Sequence, residues 1–476
     1  MSICSEKETI IFVRGRGDPP DPSNDNGGGC TKQAWESALG QDLDNVMTSD
    51  GGPLSDSGAW GGKICDVVNN GSGKVRIRKT GYGFFINCKV GNIANVDFAA
   101  TYYDDRYEVI AVDTGSGDWV DIELAYSADT TCDCRVGGAL ATLQHAVDNV
   151  DAVNYTHEIR AYSGELLTAA IDLDTYGGSG TNGTWLKVIG VDDTGAELAD
   201  GNYSTYNAQN NACHVLNIHN VDNIEFRHIY AKDAGATQAG FNFTMTAAHH
   251  GFVFYDCKST DCYYAMLMAT ANVRKLLLIQ GYYEASGITL YLIAPMGVHL
   301  IDVEVVNNTS YAGINFYPYG EGILEGCIIK KNGSGDGIYC DYQYSLVNVR
   351  NCVFYNVGDA ISIDHNDCRL IEYNNIYMVG AKATGKVIDG NQGRIAYSDY
   401  SCLWALDGAP EATNRWGGTS TPPTNAVEQD PQFVNAASDD FRLKPSSPCL
   451  NTGKPTVNNG LASIGAWQRK SLLRWR

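Results

Sequence analysis

From about residue 211 the chain repeats itself, and the period leaves few folds open. Aligned units read IEFRHIYAKD (224–233), FVFYDCKSTD (252–261), HLIDVEVVNN (299–308), ILEGCIIKKN (323–332), LVNVRNCVFYN (346–356) and LIEYNNIYMVG (370–380). A second strand follows each, as in GFNFTM, GINFYP and AISIDH. One inward position of that strand recurs as Phe241, Met266, Leu290, Ile314, Ile338, Ile361 and Val387, at intervals of 23 to 26 residues. Self-similarity at this period means a solenoid, because each unit buries its apolar side only by stacking on its neighbours. Short alternating strands, with Gly and Asn at the corners and no helical stretch between, predict a parallel β-helix. A leucine-rich repeat would show a Leu-x-x-Leu-x-Leu comb, which is absent.

A second ladder agrees. Asp233, Asp261, Asn308, Asn332, Asn356 and Gly380 follow the first strand of successive coils. These residue types tolerate left-handed backbone angles, as a corner requires. Ahead of the repeat, Leu143, Ala146, Val147 and Val150 follow helical spacing with Thr142 as N-cap. That predicts a capping helix over 138–150, since an uncapped β-helix exposes core and strand edges. The expected organisation is an irregular arm at 1–60, a small antiparallel β domain at 61–135, the β-helix at 136–424 and a C-terminal capping segment at 425–476. RYEVIAVDTGSGDWVDIEL in the β domain reads as a hairpin around Thr-Gly-Ser-Gly.

Composition narrows the function classes. Asp and Glu outnumber Lys and Arg by 55 to 34, a net charge of −21, which suits nucleic acid poorly because phosphates need basic patches. No apolar run approaches the length of a membrane span. The start, MSICSEKETIIFVRGRGD, lacks the pattern of a Sec signal peptide. The expected location is therefore inside the cell or on a particle that leaves it. The 15 cysteines show no paired metal spacing, and Cys257, Cys327 and Cys352 sit within apolar strand patterns, so reduced, buried thiols are expected. Cys132-x-Cys134 is the one close pair, a weak metal or disulfide signal. His214, His219 and His228 have no metal-site spacing, and Arg16-Gly17-Asp18 is a chance tripeptide.

On these residues the chain, over roughly 136–470, resembles the pectate-lyase-like right-handed parallel β-helix superfamily. The segment DPQFVNAASDDFRLKPSSPCLNTG…SIGAW (430–467) is similar to the closing segment of many bacterial and phage β-helix proteins. The front end, a hairpin-rich β domain running into VGGALATLQHAVDNV, looks like virion-associated β-helix proteins of tailed phages. The resemblance implies an all-β chain: a right-handed single-stranded parallel β-helix with a small N-terminal antiparallel β domain and a C-terminal capping segment. The superfamily contains lyases, hydrolases, esterases, tailspikes and inert adhesins, so fold alone does not choose the function.

The candidate site is AISIDHND (360–367). Asp364 follows Ile361 by three residues, as Asp341 follows Ile338, and Asp389 follows Val387 by two. Three carboxylates are thus expected to stack at one edge, with Tyr317 in the equivalent place before them. Rungs roughly 4.8 Å apart would set adjacent carboxylates near the ~5–5.5 Å of retaining glycosidases and alternate ones within the ~6.5–9.5 Å of inverting enzymes. His365 is the candidate acid or base beside them. No cofactor is expected, although such a stack would also suit Ca²⁺. The polygalacturonase-type set of Asn-Thr-Asp, Asp-Asp and Gly-His-Gly is missing. So is a lyase base on adjacent coils, although Lys330, Lys331 and Arg350 are near in sequence. The competing reading is a solvated polar turn. Tyr263, Tyr264, Tyr282 and Tyr283 are further aromatic candidates along the flank, and Tyr317, Tyr319, Tyr342 and Tyr344 are the residues expected to stack on sugar rings.

The expected function is a structural or adhesive β-helix protein of a phage virion, a tailspike, fibre or appendage on an extracellular particle, that contacts host polysaccharide. Its arm and β domain would bind other virion proteins, and a homotrimer is the assembly kept open. The alternative is a polysaccharide hydrolase or lyase using the Asp cluster; a bacterial surface adhesin shares the physics of the first reading.

Overall fold

The computed structural model describes residues 9–13, 65–78, 80, 90, 93–98, 105–137 and 143–148, and most of 157–173, 184–409 and 425–464. The chain divides into two units, Met1–Asn207 with Ile224–Ile229, and Ala208–Asn223 with Tyr230–Arg476. Among the described residues no helix is long and apolar enough to cross a membrane.

In the first unit, Cys65–Asn69, Lys74–Arg78, Ile93–Phe98, Asp105–Val112, Trp119–Ala125 and Thr130–Gly137 close an antiparallel barrel. Alternation puts Cys65, Val67, Val75, Ile77, Val109, Val120, Ile122 and Cys132 in its core. The hairpin expected around Thr-Gly-Ser-Gly is present. The Asp113 carboxylate organises its turn, accepting hydrogen bonds from Ser116 Oγ and the backbone N–H groups of Gly115, Ser116 and Asp118. Those donors, the Ser116 hydroxyl first, hold its carboxyl down to about 2. Cys132 lies opposite Cys65 across the barrel ladder.

Beside the barrel a parallel stack begins. Thr9–Val13 pairs with His157–Ala161, which pairs with Leu186–Gly190 and so on to Ile224–Arg227. The arm expected to be irregular over 1–60 therefore contains a strand, TIIFV, whose β-branched run suits one. The rest of that arm lies outside the described residues. The described helix spans Leu143–Asp148, with Leu143, Ala146 and Val147 buried. Gln144 fastens it to a neighbouring strand: its Nε2 donates to the Asp172 carbonyl at 3.0 Å, and its Oε1 accepts from the Asp172 N–H at 2.6 Å.

The second unit is the repeat. Each coil visits three parallel faces. Face 1 contains His249–Tyr255, Val273–Ile279, Met296–Ile301 and their successors to Ile395–Asp399. Face 2 runs from Lys258–Cys262 to Cys402–Ala405, and face 3 from Leu216–His219 to Ile388–Gly390. This is the expected parallel β-helix, with three strands per coil where two were read. The long first strand breaks at a corner between faces 1 and 2, held by Asp256, Gln280, Asp302, Gly326, Asn351, Asn374 and Tyr400 at φ 43–69°. The corner ladder expected after face 2 holds in part. Asp233, Asp261 and Asn356 have positive φ, Gly380 does not, and Asn308 and Asn332 lie outside the described residues.

The interior is apolar. Phe241, Met266, Leu290, Ile314, Ile338 and Ile361 are in register and buried, as the period requires, and the next rung is Ile388 rather than Val387. Each such side chain contributes about 1.5–3 kcal/mol on burial. Glu372 is a charged exception, fully buried in register with Val349. Its carboxylate accepts from Ser401 Oγ at 2.6 Å, Asn375 Nδ2 at 2.9 Å, Tyr377 OH at 3.0 Å and Ser398 Oγ. Burial raises its pKa, and the four donors oppose that shift.

The C-terminal segment does more than close the end. Val427 bridges to Cys402, continuing the stack. Phe433, Phe441, Cys449 and Ile464 then pack over Ile328, Val353, Ile376 and Cys402, an outward row of face 2. Lys330 ties this cover down through Asp439 at 2.9 Å and Glu304 at 2.6 Å.

Candidate functional site

Among the described residues, face 3 keeps one outward row along its length and parts of a second. One position after the inward residue come Asn217, Asn242, Leu267, Tyr291, Asn315, Tyr339, Ser362 and Asp389. Two positions further, His219 pairs with Thr244 and Ile293 with Tyr317. The Asp364 N–H donates to the Cys340 carbonyl at 2.9 Å, extending the ladder one residue past the strand. That bond sets Asp364 beside Asp341, as expected. Tyr339 joins them: its hydroxyl donates to Asp364 Oδ2 at 2.9 Å and lies 3.5 Å from Asp341 Oδ2.

Asp389 does not join this stack. It is in register with Ser362, two positions short of the Asp341–Asp364 row, because Ile388 and not Val387 continues the inward ladder. Its Oδ2 is paired with Lys386 Nζ at 2.5 Å. His365 is also turned away. Its Nδ1 accepts from the Asp367 N–H at 3.2 Å and lies 3.9 Å from Asp367 Oδ2, inside its own turn. The expected trio with a histidine is thus a pair bridged by a phenol. Two carboxylates supply fewer oxygens than the roughly six to eight that Ca²⁺ takes.

Tyr319, Tyr342 and Tyr344 lie outside the described residues, and Tyr317 is described only by its backbone pairing with Ile293. Of the flank tyrosines, Tyr283 is fully buried. Tyr282 is half-buried and bonded to Glu284 at 2.9 Å. Tyr263 and Tyr264 stay partly exposed and form a ring cluster with Tyr291, at centroid separations of 4.7 and 5.8 Å. At the other end, Asn242 Nδ2 donates to Asn217 Oδ1 at 2.7 Å, and Thr244 Oγ1 lies 3.2 Å from His219 Nδ1.

One group escaped the sequence reading. Where the chain enters face 3, the backbone carbonyls of Asp336, Asp359 and Lys386 accept from Gly313, Gly337 and Ala360, which places these three side chains on successive rungs. Lys386 N–H caps Asp359 Oδ1 at 2.8 Å. Burial, then Asp359, push Asp336 up to about 6, against the pull of Lys331; burial also raises Asp359. The signal was available: GDGIYCD (335–341) and GDAISID (358–364) repeat the acid as well as the strand.

The arrangement offers hydrogen-bonding and ring surfaces on a rigid sheet, and one carboxylate pair at rung spacing. Lys331, nearest in sequence to a lyase base, is 1% exposed and directed at the Tyr311 carbonyl.

No protein-family model matches the chain, and no curated protein matches it. Among solved structures it is similar to the crystal structure of pectate lyase Pel9A, at 11% identity and a TM-score of 0.38, over 69% of this chain and 91% of that one.

Proposed function

We propose that the chain is a structural, adhesive β-helix protein of a phage virion whose face 3 contacts glycans of the host surface. The observation that carries the glycan contact is the pair of outward rows on face 3. Amides, hydroxyls, phenols and two bridged carboxylates lie there in register, while the chain's own C-terminal segment covers a row of face 2. Side chains of this kind bind sugars through hydroxyl hydrogen bonds and ring stacking. The virion setting rests on the sequence layout, a small β domain and capping helix ahead of the solenoid and the DPQF…SIGAW closing segment behind it. In this reading residues 1–135 attach to other virion proteins, and the assembly is a homotrimer, which sedimentation of the purified protein would test.

The second reading is a polysaccharide-degrading enzyme. It is favoured by Asp341 and Asp364 standing one rung apart, roughly 4.8 Å, near the separation of retaining glycosidases. One experiment separates the two. Purified protein and an Asp341→Asn/Asp364→Asn variant are incubated with capsular and surface polysaccharides, following both retention and chain length. Retention without shortening supports the adhesive reading. Shortening lost in the variant replaces it with the enzyme, and neither effect across a broad panel removes the glycan from both.

A further inference from the structure

Resting on the glycan-contact reading above, we infer that the polysaccharide held on face 3 is uncharged along the stretch it contacts, a neutral hexose or acetamido-sugar chain and not a polyuronate. Start with what the outward rows hold. Their described side chains are Asn217, His219, Asn242 and Thr244 at one end, Leu267, Tyr291, Ile293 and Asn315 in the middle, and Tyr339, Asp341, Ser362, Asp364 and Asp389 at the other. Among these described positions none is Lys or Arg. One cation at the edge, Lys386, is committed to Asp389 at 2.5 Å.

A glycan carrying one carboxylate per residue needs a basic side chain or a bridging cation for each charge it brings close. Face 3 meets it with the opposite supply. A sugar carboxylate within ~5 Å of Asp341 or Asp364 is disfavoured roughly fourfold even at the screening of bulk water, and more beside a low-dielectric sheet. Asp336 and Asp359 add carboxylates at the entry edge, where burial first and then Asp359 raise Asp336 to about 6, against the pull of Lys331. A neutral glycan meets no such cost. The Asp341 and Asp364 carboxylates accept from sugar hydroxyls, the Asn315 amide both donates and accepts, and the Tyr263–Tyr264–Tyr291 cluster offers ring faces and edges. Because the rows run along the solenoid with one set of side chains per ~4.8 Å rung, an extended chain lying along the axis meets a new set at each step.

The test uses the full-length protein immobilised at physiological ionic strength. Neutral polysaccharides (galactan, mannan, glucan and N-acetylated chains) are compared with polygalacturonate and alginate, each with a chelator and with added Ca²⁺. The expected result is at least tenfold preference for a neutral chain with chelator present. Asp341→Asn/Asp364→Asn should narrow that preference by raising polyuronate retention. Tyr291→Ala, which leaves the charge untouched, should weaken neutral binding and leave the ratio unchanged. Polyuronate binding equal to or tighter than neutral binding, with or without Ca²⁺, overturns the inference and leaves the glycan reading standing. Retention of neither class removes the glycan reading itself, and the inference with it.

Discussion

Lys331 ends the face-2 strand Ile328–Lys331 and is 1% exposed, its Nζ donating to the Tyr311 carbonyl on the preceding coil. Burial lowers its pKa from 10.5 to about 8, with Asp336 opposing the shift. The folded chain therefore releases this proton near pH 8, whereas the unfolded chain keeps it to about 10.5. Between those values the unfolded state binds the additional proton, so unfolding free energy rises with pH. Below the window the cost of burying the ammonium is fully present; above it, the cost is gone. At about 1.4 kcal/mol per pH unit the upper limit is about 3 kcal/mol, and relaxation of the protein around the buried ammonium reduces it to roughly 1–2 kcal/mol. Lys331→Met keeps most of the apolar stem and removes the titration. Tyrosines and thiols also ionise above pH 8, but wild type and variant share them, so the difference between the two isolates Lys331. Urea unfolding followed by far-UV circular dichroism, at several values from pH 7 to 10.5, gives that difference. It should shift by roughly 1–2 kcal/mol in favour of the wild type as pH rises. A flat difference across the window would refute the argument from burial.

Other outcomes follow from the same structure. Ile361→Ala, in a fully packed rung, should cost about 2–5 kcal/mol in unfolding free energy, because neighbouring rungs hold the cavity open. Tyr339→Phe removes the donor to Asp364 at a partly exposed site; the fold should tolerate it, and isothermal titration should show roughly two- to tenfold weaker glycan binding. Cys340 and Cys368 are fully buried with their sulfurs 3.1 Å apart, so oxidised glutathione should join them once mild denaturant opens the coil locally, by thiol–disulfide exchange with loss of two hydrogens from the protein and two glutathione thiols released. Non-reducing peptide mapping would show the 340–368 link.

Much of the architecture was readable because a solenoid states its inward pattern again in every coil. Phe241 through Ile361 could each be placed from the others, and one weak rung did not obscure the rest. The corner between faces 1 and 2 was not readable. It is a single left-handed residue whose identity varies from Asp256 to Gln280 to Tyr400, so the strands on either side read as one. Glu372 was hidden for a related reason. Alternation marks its position as inward, but its four donors come from Asn375, Tyr377, Ser398 and Ser401, on two further strands and two corners. Strand TIIFV was read as part of an arm because its partner, His157–Ala161, lies far along the chain.

The site was less readable than the fold, and Asp389 shows why. Val387 and Ile388 are both apolar and both fully buried, so either could continue the inward ladder. Choosing the first made Asp389 a one-residue slip from the carboxylate row; the pairing of Ile361 with Ile388 moves it two positions away, to a partner lysine. An inward ladder tolerates such an error, because a neighbouring apolar residue fills the same layer. An outward row does not, since side chains alternate and each position meets different groups. The same logic explains why Asp341 and Asp364 were placed correctly: their units, GIYCD and AISID, match residue for residue in spacing, leaving no register to choose. In a β-helix the repeated interior fixes where the coils lie, and chemistry on the outside depends on a register that the interior does not need.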